Sequence, residues 1–174
     1  MKHILLMLVF GCVALTSCSD DDDATETNRE HTYEVTISGS GINNKLEGKM
    51  PKGELALLYA ESPDIDGFRG VSTTLTAENL SITLILPMDG NNVKPLKNEL
   101  DGETNSLIMI TIEDSDLTLI GISGEVSVSN LQTQMVTPYS GTASGTITFT
   151  GQFADTSDES RPPVNVTGKI VVIK

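Results

Sequence analysis

Carboxylates dominate the residues of this sequence that could do chemistry. Twenty-four Asp and Glu stand against eleven Lys and Arg in 174 residues, a formal net charge of −13. Several acids cluster inside turn-forming stretches: Asp64-Ile65-Asp66-Gly67, Glu113-Asp114-Ser115-Asp116, Asp101/Glu103 and Asp155/Asp158/Glu159. Oxygen ligands two residues apart in a turn suit Ca²⁺, so Asp64, Asp66, Glu113, Asp114 and Asp116 are the candidate cation ligands. No other cofactor is implied. Neither run carries the remaining ligands or the glycine of an EF-hand loop. In so acidic a chain the same residues also serve as ordinary solvated turns.

A glycosidase would place two such acids on either side of one sugar, with aromatic rings beside them. The chain has no Trp, four Phe and three Tyr. Tyr33, Tyr59 and Phe149 fall on core-facing positions of alternating runs, which leaves Phe68 and Tyr139 as the candidate platform for a glycan. His31 stands where an acidic stretch meets the first strand-like run and is expected to be solvated. A general base there lacks a nucleophile and an orienting partner. Ser38-Gly39-Ser40-Gly41 and Gly141-Thr142-Ala143-Ser144-Gly145 are Gly/Ser turns rather than a nucleophile elbow opening a helix. These residues argue for a protein that is not an enzyme. The acidic balance also excludes nucleic acid as a partner, since phosphates need clustered Lys and Arg.

Both cysteines, Cys12 and Cys18, lie near the N-terminus. Lys2 precedes an apolar run from Ile4 to Ala14, broken only by Gly11, of signal-peptide length and too short to span a bilayer. Leu15-Thr16-Ser17-Cys18 closes the run, and Ser19-Asp20-Asp21-Asp22-Asp23 follows. The first four residues resemble the bacterial lipobox, L-[AST]-[GAS]-C, at every position. The acidic run resembles the export signal of Bacteroidetes lipoproteins destined for the outer face of the outer membrane. The resemblance implies a signal peptide over 1–17, a lipidated Cys18, an export address at Ser19 to Asp23, and a membrane anchor through the lipid. Two or three acyl chains, at about 0.8 kcal/mol per buried methylene, hold such an anchor by roughly 20 kcal/mol or more. Without the resemblance, the acids are a solvated spacer. Residues 18–30 are expected to be a flexible tether, because nothing in them buries apolar surface.

From His31 onward the hydrophobic period is two. Tyr33, Val35 and Ile37 share one face of the first run, with Thr32, Glu34, Thr36 and Ser38 on the other. Similar runs occupy Leu46 to Met50, Leu55 to Ala60, Val71 to Ala77, Leu80 to Leu86, Leu107 to Ile112, Leu117 to Ile122 and Glu125 to Leu131. Thr146 to Phe153 and Val164 to Val172 complete them, and Val71 to Leu86 reads as a hairpin turning at Glu78-Asn79. Pro87 to Asn105 lacks alternation, with room for one helical turn in Val93 to Leu100. All seven prolines fall between the runs, as expected where proline cannot donate to a ladder.

About nine or ten such strands give one all-β domain over residues 31–174, an antiparallel β-sandwich with a β-barrel as the alternative. The Gly141 to Phe153 stretch resembles small Bacteroidetes β-sandwich lipoprotein domains. The expectation is a surface lipoprotein that binds or assembles. Its partners would be a glycan or a neighbouring surface protein, with a pilus- or adhesin-type component as the rival.

Overall fold

The computed structural model describes residues 30–51, 53–62, 68–97 and 105–174. Eleven strands make up the fold: β1 His31–Gly39, β2 Ile42–Met50, β3 Leu57–Ser62, β4 Phe68–Ala77, β5 Leu80–Asp89, β6 Asn92–Val93, β7 Leu96–Lys97, β8 Leu107–Ile112, β9 Leu117–Met135, β10 Ser140–Asp155 and β11 Val164–Val172. Ten of them run in the order β2-β1-β11-β10-β3-β4-β5-β8-β9-β7 in one antiparallel sheet, and β6 pairs with β5 off this path. This is an all-β, sandwich-like fold. Inward side chains of β1, β11 and β10 and those of β3, β4, β5 and β8 meet in a single apolar core.

The spine is the β9–β10 hairpin. One edge of β10 pairs with β9 from Gly141 to Asp155. Its other edge pairs first with β3, over Ser140 to Ala143, and then with β11, over Gly145 to Phe153. The start of β9 pairs with β8, so hydrogen bonding runs round a closed circuit β9-β10-β3-β4-β5-β8. From that circuit β11, β1 and β2 branch away as the second layer.

The runs Leu117 to Ile122 and Glu125 to Leu131 prove to be one strand. One register shift explains why they read as separate, and a second follows further along the strand. Gln152 pairs with Ser123 but Phe153 with Gly121, so Ile122 is an extra residue on β9. Ser144 pairs with Gln132 but Thr146 with Ser129, leaving Asn130 and Leu131 opposite Gly145. Asn130 takes the left-handed conformation there (φ 54°), as a β-bulge residue can. Each bulge exchanges the inward and outward faces. Leu117 and Leu119 are buried, then Val126 and Val128 pack against the core, then Leu131 does.

Pro87 departs from the expectation for prolines, for it lies inside β5, opposite Gly70. The reason is local. β8 pairs with β5 only as far as Ile85, and the Pro87 carbonyl accepts the Lys94 N–H at 2.8 Å. The proline nitrogen therefore faces Lys94 just beyond β6, and the Lys94 carbonyl that a donor there would have met accepts the Ser106 hydroxyl instead. Val93 to Lys97 forms the short extended pieces β6 and β7 in place of a helical turn, and buried Leu96 packs directly over Gly121.

Candidate functional site

A concave and chemically varied region lies where β10 changes partner. At the outer end of β3 the ladder gains one further rung, with the Glu61 N–H donating to the Tyr139 carbonyl at 2.9 Å. Glu61 in turn pairs with Arg69 on β4. Tyr139, Glu61 and Arg69 therefore form a row across three chain segments. One rung inside it, the hydroxyl of buried Tyr59 donates to Glu61 Oε2 at 2.8 Å and accepts from Arg69 Nε at 2.7 Å. The Arg69 guanidinium carbon lies 5.8 Å from the Tyr59 ring centroid, within cation–π reach. Burial pushes the Tyr59 phenol up, the Glu61 hydrogen bond adds to this, and Arg69 partly opposes it. Tyr59 is thus a neutral donor that holds Glu61 and Arg69 in place.

Tyr139 itself is 52% exposed, and Val136 beside it is 74% exposed. Thr137 shapes this turn, its Oγ1 accepting the N–H groups of Tyr139 at 3.2 Å and Ser140 at 2.9 Å. Phe68 pairs with Ser62, the residue after Glu61. The two candidate aromatic residues, 71 positions apart in sequence, are brought by register to the same end of the sheet. The Phe68 side chain lies outside the described residues.

Further along β10 a cleft of about 200 Å³ opens at the seam between β3 and β11. Leu55, Leu57, Ser144, Val172, Ile173 and His31 are among its lining. His31 is 2% exposed, so the expectation of a solvated histidine is corrected. As the first residue of β1 it pairs with Met50, and its Nδ1 accepts the Ile173 N–H at 3.1 Å. That bond leaves the ring proton on Nε2 and ties the start of β1 to the end of β11. Ser144, 8% exposed, lies at the register shift, where β10 has left β3 and not yet met β11.

Glu113, Asp114 and Asp116 lie in and just after a single 3-10 turn, Glu113–Ser115. Their polar groups are used by the fold. Asp114 Oδ2 accepts Asn79 Nδ2 at 2.7 Å, and the Asp116 carbonyl accepts the Ser157 hydroxyl at 2.8 Å. Asp116 takes the left-handed conformation (φ 48°) that ends the turn. Among the described residues no three His, Cys, Asp or Glu side chains come together as metal ligands. Asp64 and Asp66 lie outside the described residues, as do Cys18, Ser19 and Asp20 to Asp23.

The spine differs from the rest of the chain in charge. From Val126 to Ala154 there is no Asp, Glu, Lys or Arg, and the exposed side of this hairpin is mostly Ser, Thr and Gln, with Met135, Val136 and Tyr139 exposed near its turn and Ser127 and Thr148 hydroxyls 2.7 Å apart. The signal for this surface stands in the sequence as the one long gap in an otherwise acidic chain.

No family model, curated protein or solved structure matches this chain. Its chemistry rests on the residues themselves.

Proposed function

We propose that this protein is a lipid-anchored outer-membrane lipoprotein whose β-domain is presented at the cell surface for binding or assembly rather than catalysis. The observation that carries the reading is Leu15-Thr16-Ser17-Cys18 followed at once by Ser19-Asp20-Asp21-Asp22-Asp23. The two motifs abut, and among the described residues the first strand begins at His31. A dozen residues between anchor and strand reach about 40 Å when extended, enough to clear lipid headgroups. The test is protease shaving of intact cells, with lysed cells as control. Wild type should be cleaved, and a variant with Asp20 to Asp23 changed to alanine should be protected. Cys18→Ser should abolish incorporation of labelled fatty acid. Protection of wild type in intact cells would put the domain on the periplasmic side and defeat the surface reading.

The uncharged spine and exposed Tyr139 favour a neutral glycan as the bound molecule. Hydroxyls and amides pair with sugar hydroxyls, an aromatic face stacks on a sugar ring, and the absence of fixed charge along the hairpin spares a neutral polymer desolvation of ions except at Glu61 and Arg69 beside Tyr139. The expected result is retardation of the protein in polysaccharide-containing native gels, lost in Tyr139→Ala. Equal mobility of both proteins on every neutral glycan tried would leave assembly with a protein as the function.

A further inference from the structure

We infer that β2 is a self-pairing edge through which two copies of this chain join their sheets about a two-fold axis. Among the described residues β2 is paired on one side only, with β1. The hairpin joining them fixes which backbone groups face outward. Gly39 pairs with Ile42 across Ser40-Gly41, both at positive φ (51° and 80°), a two-residue turn of the type that twists with its strands. In such a hairpin the Gly39/Ile42 pair exchanges hydrogen bonds, and bonded pairs alternate along the ladder. The N–H and C=O groups of Asn43, Lys45, Glu47 and Lys49 therefore point to the open edge.

Side chains select one register on that edge. The outward face of β2 reads Asn43, Lys45, Glu47, Lys49, all exposed. The inward face reads Ile42, Asn44, Leu46, Gly48, Met50, with Ile42 and Leu46 only partly buried. An antiparallel second copy centred on Leu46 aligns all nine residues of the strand. It sets each Lys45 opposite the other copy's Glu47, Leu46 against Leu46, and Ile42 against Met50. Each copy already holds Lys45 Nζ 2.7 Å from its own Glu47 and 3.2 Å from Glu34. The result is a checkerboard of alternating charge over an underside of Ile42, Leu46 and Met50, with Asn44 set opposite Gly48 between them. A slip of two residues one way puts Lys45 opposite Lys45, and the other way puts Glu47 opposite Glu47. Like charges directly opposite destabilise a pair and unlike charges support it. Edge lysines ordinarily discourage sheet-to-sheet contact; here the intervening glutamate turns them into a selector of one partner and one register. The contact is isologous, so it closes at two copies.

The test uses the full-length chain in its own membranes. In the centred register Leu46 and its symmetry mate form a non-hydrogen-bonded pair, with Cα atoms roughly 4.5 Å apart, within disulfide range. Leu46→Cys should give a disulfide-linked dimer on mild oxidation, read against the parent chain, which carries only Cys12 and Cys18. Adding Lys45→Glu should lower the dimer yield about tenfold, since two symmetry-related pairs change sign. Adding Glu47→Lys as well should restore it, which mere exposure of position 46 would not do. Carbodiimide treatment of the unsubstituted chain, joining Lys45 of one copy to Glu47 of the other, gives the same reading without a core-facing substitution. Overturning results are no dimer above the parent with either chemistry, no rescue by the charge swap, or capture of the introduced thiol by a different protein.

Discussion

The Arg161 guanidinium bonds to the Asp155 carboxylate, whose side chain is only 1% exposed. The same carboxylate accepts the Ser157 N–H at 2.9 Å and the Ser157 hydroxyl at 2.5 Å. Asp155 ends β10 and pairs with Leu119 of β9, so this knot locks the return loop 156–163 over the start of β9. Thr156 and Ser157 extend the lock by bonding the carbonyls of Thr118 and Asp116.

Burial pushes the Asp155 carboxyl up, but the Ser157 bonds, the Arg161 charge and a backbone bond at Thr118 outweigh it and hold the group below the usual aspartate range. A depressed folded-state pKa contributes stability that is complete above the unfolded value, about 4, and is lost as pH falls through the folded value. Asp155→Asn should cost about 1–3 kcal/mol at pH 7. The gap from wild type in urea unfolding should close progressively below about pH 4. A gap unchanged well below that pH would mean the carboxylate charge is not what holds the loop.

Gly168 and Gly48 should respond differently to alanine. Each faces an aromatic ring across a strand pair, Phe149 and Tyr33 respectively. A Cβ on Gly168 would run into Phe149 Cζ, and Phe149 is 3% exposed, so displacing its ring disturbs the core. A Cβ on Gly48 would lie 2.5 Å from the Tyr33 hydroxyl, but half-buried Tyr33 can swing toward solvent. Gly168→Ala should therefore destabilise by about 1–3 kcal/mol and Gly48→Ala by less. Thermal unfolding of the two variants should rank them in that order, and Phe149→Leu should rescue Gly168→Ala in part.

The bulge at Asn130 should tolerate glycine and reject β-branching. Its positive φ costs about 1–3 kcal/mol for a residue unsuited to it. Asn130→Gly should be near neutral in denaturant unfolding, whereas Asn130→Val should lose stability by that order. Equal behaviour would show that the register shift does not depend on this conformation.

Asp114 gives a direct check on the acidic turn. Its bond to Asn79 ties the β4–β5 turn to the segment before β9. Asp114→Ala should cost about 0.5–1.5 kcal/mol, by the same amount in EDTA and in millimolar Ca²⁺. A loss seen only with Ca²⁺ present would restore Glu113, Asp114 and Asp116 as cation ligands.

What the sequence by itself determined is local. Alternation at a period of two is a property of neighbouring residues, so Tyr33-Val35-Ile37, Leu80 to Leu86 and Val164 to Val172 were legible as strands with the correct faces inward, and Leu107 to Ile112 as a strand. Their number and the near absence of helical pattern set the all-β class. Long-range pairing is a different matter, because one strand's pattern does not name its partner. Long-range pairing makes β9 a single strand, since the bulge at Ile122 inverts the pattern and mimics two shorter strands. Pairing likewise shows that the carbonyl facing the Pro87 nitrogen is taken by Ser106. The chain position of His31 suggested solvent, yet β11 arrives 142 residues later to cover it and supply the Ile173 N–H. Phe68 and Tyr139 share one end of the sheet because β3 lies between them, a consequence of register that no spacing along the chain encodes. The Lys45-x-Glu47 pattern of β2 was written in the sequence throughout. It acquires meaning only because the fold leaves that strand at the edge.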